Sequence, residues 1–160
     1  MAKRFREQDT LLPPATLVKR LLAMLYDGLI CIALAIVVTW LYTLVAAWFV
    51  GFDEYAASAE AGQRNSDPFL TSVLFIALYL FYMYFWTRLG QTLGMQVWRI
   101  RIENRDGTAI SPMQALKRYM TGWISWLACG LGYFWMLWDE NRETWTDKVS
   151  RSQVVSVPKK

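Results

Sequence analysis

The chain has 160 residues, the length of one domain, and 55% of them are hydrophobic, with nine Trp, eight Tyr and eight Phe. A soluble domain is about 45–50% apolar on a count that includes Gly, so this excess, gathered in long uncharged runs, points to a membrane; the mean hydropathy of +0.20 averages those runs with charged ends. The net charge of +4 lies on the flanks of the runs rather than along one basic stripe, which argues against a nucleic-acid partner, and the absence of histidine excludes Ser-His-Asp and Cys-His catalysis, the usual zinc sites and histidine-ligated haem.

Residues 1–16 read as a cytoplasmic N-terminal tail. The first apolar segment, Gly28–Phe52, has twenty-five residues without a formal charge between Asp27 and Asp53. At 1.5 Å per residue it covers roughly 37 Å, more than a hydrocarbon core of about 30 Å. It also exceeds the roughly 7–15 residues of a signal-peptide core and begins late, so a retained helix is expected. The second segment, Phe69–Thr87, has nineteen residues dense in Phe, Tyr and Trp and also spans. The aromatic run Tyr79–Trp86 within it reads as lipid-facing and packing surface rather than a substrate cage.

Lys and Arg orient the chain. Five precede the first segment, one lies between the first two, six between the second and third, and five follow the third. The poor loop, Phe52–Pro68, with Asp53, Glu54, Glu60 and Asp67 against Arg64, is expected outside, leaving the N-terminus and Arg88–Arg118 in the cytoplasm. The third segment, Tyr119–Trp138, has twenty uncharged residues but is interrupted by Gly122, Gly130 and Gly132. Three full crossings would put the basic tail outside, against the charge rule. Gly130-Leu131-Gly132 resolves the conflict if it turns the segment back as a hairpin, and a cytoplasmic tail is the preferred reading.

Between the second and third segments, Val97–Ile102 alternates with a period of two and reads as a strand. Asn104–Gly107 carries turn chemistry and Thr108–Ile110 is a short return strand, giving a cytoplasmic hairpin over 96–110. Ser111-Pro112-Met113-Gln114 then has the hydroxyl, proline and Gln of a capping box, so a helix starts there. An isolated hairpin is marginal in water and needs cover; Val154–Val157 is expected nearby, as a possible third strand. The expected fold class is all-α transmembrane, with two to three membrane helices, the third broken or re-entrant, and a small cytoplasmic β-hairpin. The membrane domain covers 17–157 and 158–160 is tail.

No glycine pattern matches a phosphate loop or dinucleotide fingerprint, so neither a cofactor nor enzyme activity is expected. Cys31 and Cys129 lie inside apolar runs and read as buried fillers rather than a disulfide or metal pair. The charges that matter are at the entry to the first segment. Arg20 and Asp27 are seven residues apart, about 700° of helix, so they share a face while standing roughly 10 Å apart along the axis. A shared partner fits better than a direct bridge, and Asp147 reaches Arg20 if the tail folds back, leaving Asp27 deeper and less neutralised.

The Arg-x-x-Ala-x-x-x-Asp entry, the Gly90-Gln91-Thr92-Leu93-Gly94-Met95 turn, the strand with its Asp-Gly hairpin, and Asp147 before a Val-Val ending together resemble the RDD family of bacterial membrane proteins, over roughly Leu17–Val157. The resemblance implies that Arg20, Asp27 and Asp147 are the family's Arg and two Asp, and that the protein sits in the bacterial inner membrane. Met95 departs from the pattern, since many members carry a basic residue there. Similarity to some members implies exchange of a monovalent cation for a proton.

Two functions stay open. In the first, Asp27 alternately holds a proton or a monovalent cation in a small transporter, a homo-oligomer because two or three spans enclose too little space for a pathway. The second is a non-transporting scaffold or accessory module that supports another membrane protein through its cytoplasmic hairpin and tail. A purely structural reading of Arg20 and Asp27, with Arg20 snorkelling to headgroup phosphate, competes with both.

Overall fold

The first apolar run folds as one helix of 34 residues, α1 (Leu17–Val50). This computed structural model describes residues 4–5, 12–62 and 67–158. Parts of the expected N-terminal tail, Arg64 and the end of the 158–160 tail lie outside the described residues. α1 begins eleven residues before the uncharged run, because Leu17–Tyr26 is itself rich in Leu, Val and Met, good company for Lys19 and Arg20 in a helix. Its length of about 50 Å exceeds any bilayer core. It stops at Gly51, whose φ of 104° suits glycine, and Phe52 opens a separate nine-residue helix, α2 (Phe52–Glu60), instead of closing the first span.

α3 (Pro68–Arg88) carries the second run almost as expected. Asp67 sets its start, its Oδ1 accepting from the backbone N–H of Phe69 at 2.9 Å and of Leu70 at 3.2 Å. Among the described residues, two helical segments are long and apolar enough to cross a membrane, and these are the two.

The chain divides into two compact units. One is Leu29–Leu80, where the Tyr42 hydroxyl donates to Asp67 at 2.7 Å and the Tyr42 ring stands 6.0 Å from that of Phe69. The other is Met1–Gly28 with Phe81–Lys160. It contains the start of α1, the end of α3, α4 (Leu93–Val97), β1 (Ile100–Glu103), α5 (Pro112–Leu127), α6 (Leu131–Phe134) with a 3-10 turn at Trp135–Leu137, α7 (Trp145–Ser150) and β2 (Gln153–Ser156).

A small antiparallel sheet is present, but its pairing differs from the expected 96–110 hairpin. β1 pairs with β2, Ile100 opposite Ser156 and Ile102 opposite Val154, so the Val-Val ending supplies the second strand. Leu93–Val97 is helical, which delays the strand to Ile100. Thr108 closes the turn, its carbonyl accepting the Asn104 N–H at 2.9 Å, but the return goes no further as a strand: Asp106 Oδ1 accepts the Thr108 N–H at 3.0 Å, Asn104 Nδ2 donates to the Ala109 carbonyl at 3.1 Å, and Thr108 makes an isolated bridge with Arg4. Ile100 and Ile102 face a core with Ala15, Ala23, Met95 and Ala115.

α5 starts with the expected capping box, Ser111 and Gln114 each bonding the other's backbone N–H, with Pro112 leading the helix. The third apolar segment does not form a single helix. It breaks at Cys129 and Gly130, both at positive φ, and returns along α5. The glycines show the direction of return: a Cβ on Gly132 would lie 2.0 Å from Ser125 Oγ, and one on Gly122 would lie 3.3 Å from the Tyr133 hydroxyl. Position rises on one arm as it falls on the other, so the arms are antiparallel. Cys129 is exposed at this bend rather than buried, Cys31 is half-buried, and neither forms a disulfide.

Candidate functional site

Arg20, Ala23 and Asp27 occupy one stripe of α1, three and four residues apart, and all three are buried. Arg20 and Asp27 do not bridge each other. The Arg20 guanidinium reaches three groups: Nη1 donates to Asp147 Oδ2 at 2.5 Å, Nε to the Ala15 carbonyl at 3.2 Å and Nη2 to the Val154 carbonyl at 3.4 Å. One cation therefore ties α1 to α7, β2 and the segment before α1.

Asp147 occupies this position because α7 starts with a second capping box. The Thr144 hydroxyl accepts from the Asp147 N–H, and Asp147 Oδ2 accepts from the Thr144 N–H at 3.1 Å. That fixes the carboxylate at the helix start, where Oδ2 meets Arg20 and Oδ1 accepts from Arg118 Nη1 at 2.8 Å. Burial by itself pushes this carboxyl up, and the charges of Arg20 and then Arg118 outweigh it, bringing the group from an ordinary 3.8 down to about 2. A fully buried charge is held here by two others. Arg118 also donates to Ser152 Oγ at 2.6 Å and sits over the Trp86 ring at 5.8 Å.

Asp27 has different partners. Its Oδ2 accepts from the Thr92 hydroxyl at 2.5 Å and its Oδ1 from the Gly94 N–H at 2.9 Å. Among the described residues, no cation pairs with it. Thr92 is the N-cap of α4, its hydroxyl also accepting from the Met95 N–H at 3.3 Å, so the turn from Gly90 presents a hydroxyl and an amide to α1. Gly94 is required for that approach, since a Cβ there would lie 2.4 Å from the Ala23 carbonyl. The turn thus receives an anion that belongs to the chain itself, the Asp27 carboxylate, without the basic residue absent at Met95.

The structure brings Arg20 and Asp147 together and gives Asp27 a separate site. Sequence reasoning missed Arg118, Thr92 and Gly94 as members. Arg118 was detectable in principle: it falls with Ala115, Thr121 and Ser125 on the small, polar stripe of α5, where an Arg needs a buried partner. Nothing local to Thr92 or Gly94 announces Asp27 as their contact, 65 and 67 residues away.

A sequence model described as the RDD family matches residues 14–151. No curated protein and no solved structure matches the chain.

Proposed function

This chain belongs to the RDD family, and from that premise we propose that it exchanges protons and monovalent cations across the bacterial inner membrane, with Asp27 as the carboxylate that holds one or the other. The observation that carries the reading is the contrast among the family's three charges. Arg20 and Asp147 pair with each other, whereas Asp27 is buried and, among the described residues, is met by a hydroxyl and an amide and by no cation. A carboxylate without a counter-charge is the group able to exchange a proton for a cation, since each ligand excludes the other.

The Thr92 hydroxyl suits both states. With Asp27 ionised, its hydrogen points to Oδ2 while one lone pair takes the Met95 N–H. With Asp27 protonated, the second lone pair accepts the carboxylic proton and the hydroxyl hydrogen turns away. The same heavy-atom arrangement serves the empty and loaded carboxylate. Two spans are too few to enclose a pathway, so the transporting form is a homo-oligomer. The protein is not an enzyme in this reading.

In purified protein reconstituted into vesicles, a cation gradient should drive proton movement, and Asp27→Asn should abolish it while leaving membrane abundance near normal, because the amide is nearly isosteric. A second reading has its own observation. The tail is docked through Asp147 and β2 onto α1 and β1, a fixed platform that supports an accessory role beside another membrane protein. Wild-type protein that moves no protons under any monovalent cation gradient would favour that accessory role.

Orientation follows the basic residues, with the N-terminus in the cytoplasm and Phe52–Pro68 outside. A Ser58→Cys variant in intact cells should react with an impermeant thiol reagent, and Thr10→Cys should not. The opposite pattern inverts the topology.

A further inference from the structure

α5 is inside out for a helix bathed in water. Arg118, Thr121 and Ser125 face the interior of their unit, while Met120, Trp123, Ile124, Trp126 and Leu127 face outward, Leu127 at 83% exposure. The returning arm continues the surface with Leu131, Phe134, Trp135, Leu137 and Trp138. An exposed apolar patch of this extent marks an interaction site. We propose that α5, α6 and the Trp135–Leu137 turn form a wedge inserted into the membrane leaflet beside the Arg20–Asp147 cluster, its outer face covered by lipid acyl chains.

Lipid is the occupant we assign, because the wedge adjoins the end of the α3 span and the bend uses most of its backbone donors internally. Backbone donors in a hydrocarbon medium need internal partners. Around the break, Ala128 N–H bonds the Ile124 carbonyl at 3.0 Å, Gly130 N–H the Ser125 carbonyl at 2.8 Å, and Tyr133 N–H the Gly130 carbonyl at 2.9 Å. The helix hydroxyls are also internally used, Thr121 donating to the Lys117 carbonyl at 2.7 Å and Ser125 to the Thr121 carbonyl at 2.8 Å.

The wedge also continues a surface already in the membrane. The Tyr119 ring is 6.2 Å from Tyr82, in the last part of the α3 span, and Arg118 covers Trp86 one turn further on. Charges border its base: Lys117 is exposed before the uncharged stretch, and Lys148 lies 5.9 Å from the Trp135 ring centroid. Lys beside Trp suits the headgroup level. From Tyr119 to Leu127 the helix rises about 13 Å, less than half of a hydrocarbon core of about 30 Å, so the wedge enters one leaflet and goes no further.

Cys129 sits at the tip and is a native thiol. The test uses the full chain with Cys31→Ala, labelled at Cys129 with an environment-sensitive fluorophore and reconstituted in phosphatidylcholine–phosphatidylglycerol vesicles; a Glu140→Cys variant, with Cys129→Ala, is the control. The Cys129 label should emit to the blue of the control, lose intensity with acyl-brominated lipid, and resist aqueous iodide, all independently of the protein-to-lipid ratio. Iodide quenching equal to the control at every ratio would overturn the proposal. Protection from both quenchers that disappears on dilution into lipid would overturn it too, and would place a second copy on this face.

Discussion

Replacing Asp147 with Ala is expected to cost about 3–5 kcal/mol and to lower the membrane level of the protein sharply, because it strands two buried guanidinium groups at once. Arg20 and Arg118 are each more than nine-tenths buried, and both spend a nitrogen on this carboxylate. Against a total stability of about 5–15 kcal/mol, that loss is decisive. Asp147→Asn should be nearly as harmful, since a neutral amide balances neither cation. Arg20→Ala should cost less, because Asp147 keeps Arg118. The double variant Asp147→Ala with Arg20→Ala should be less unstable than the two single losses added together, the signature of direct coupling. Thermal melting in detergent with immunoblots of membrane fractions measures all four, and Asp147→Ala at wild-type level and melting point would remove the cluster from any account of stability.

The same carboxylate sets an acid response. Its pKa is about 2 in the folded protein against an ordinary 3.8, so the unfolded chain takes up the proton first. The contribution is therefore complete above about pH 4 and disappears as pH falls through about 2, an effect of roughly 2 kcal/mol at about 1.4 kcal/mol per unit of pKa. Melting curves across that window should show the wild type losing stability that Asp147→Ala has already lost, so the gap between the two narrows at low pH.

The two spans, the Ser111 capping box and the Arg20–Asp147 meeting were legible because each has a local or charge-based signature: an uncharged run, a hydroxyl three residues before Gln, a cation lacking a partner on its own helix. The strand pairing was legible in part: Val154–Val157 was expected beside the hairpin as a third strand, and it supplies the second. Period-two alternation identifies Ile100–Ile102 as strand material but says nothing about which other strand it meets, and the nearby Asp-Gly turn favours the local return over β2, some fifty residues later. In the fold the Asp106 and Asn104 side chains take the Thr108 N–H and the Ala109 carbonyl, and Thr108 bridges Arg4 rather than extending a strand along β1. The end of the first span was misplaced for a similar reason, since Phe52 is apolar enough to extend the run and only the positive φ of Gly51 separates it. Contacts at Asp27 were beyond reach because Thr92 and Gly94 are ordinary turn residues until another helix is laid against them.

Gly94→Ala and Gly28→Ala should change stability in opposite directions, although both replace a helical glycine. In a helix interior Ala is favoured over Gly by about 0.8–1.0 kcal/mol. At Gly28 a Cβ meets nothing within 4 Å, so the gain should appear as a higher melting point. At Gly94 the new Cβ would stand 2.4 Å from the Ala23 carbonyl oxygen and 2.9 Å from Asp27 Oδ1. The first neighbour is helix backbone and cannot turn aside, so α4 must shift from α1, at a cost of about 1–3 kcal/mol or more that outweighs the propensity gain. The shift has a chemical consequence, because the Gly94 N–H and the Thr92 hydroxyl are the groups that hold the Asp27 carboxylate. In reconstituted vesicles Gly94→Ala should therefore impair cation-driven proton movement as Asp27→Asn does, but with a lower melting point, while Gly28→Ala keeps its flux. A Gly94→Ala protein that melts as high as Gly28→Ala would show that α4 does not approach α1 closely, and the Asp27 site would then lose the residue that shapes it.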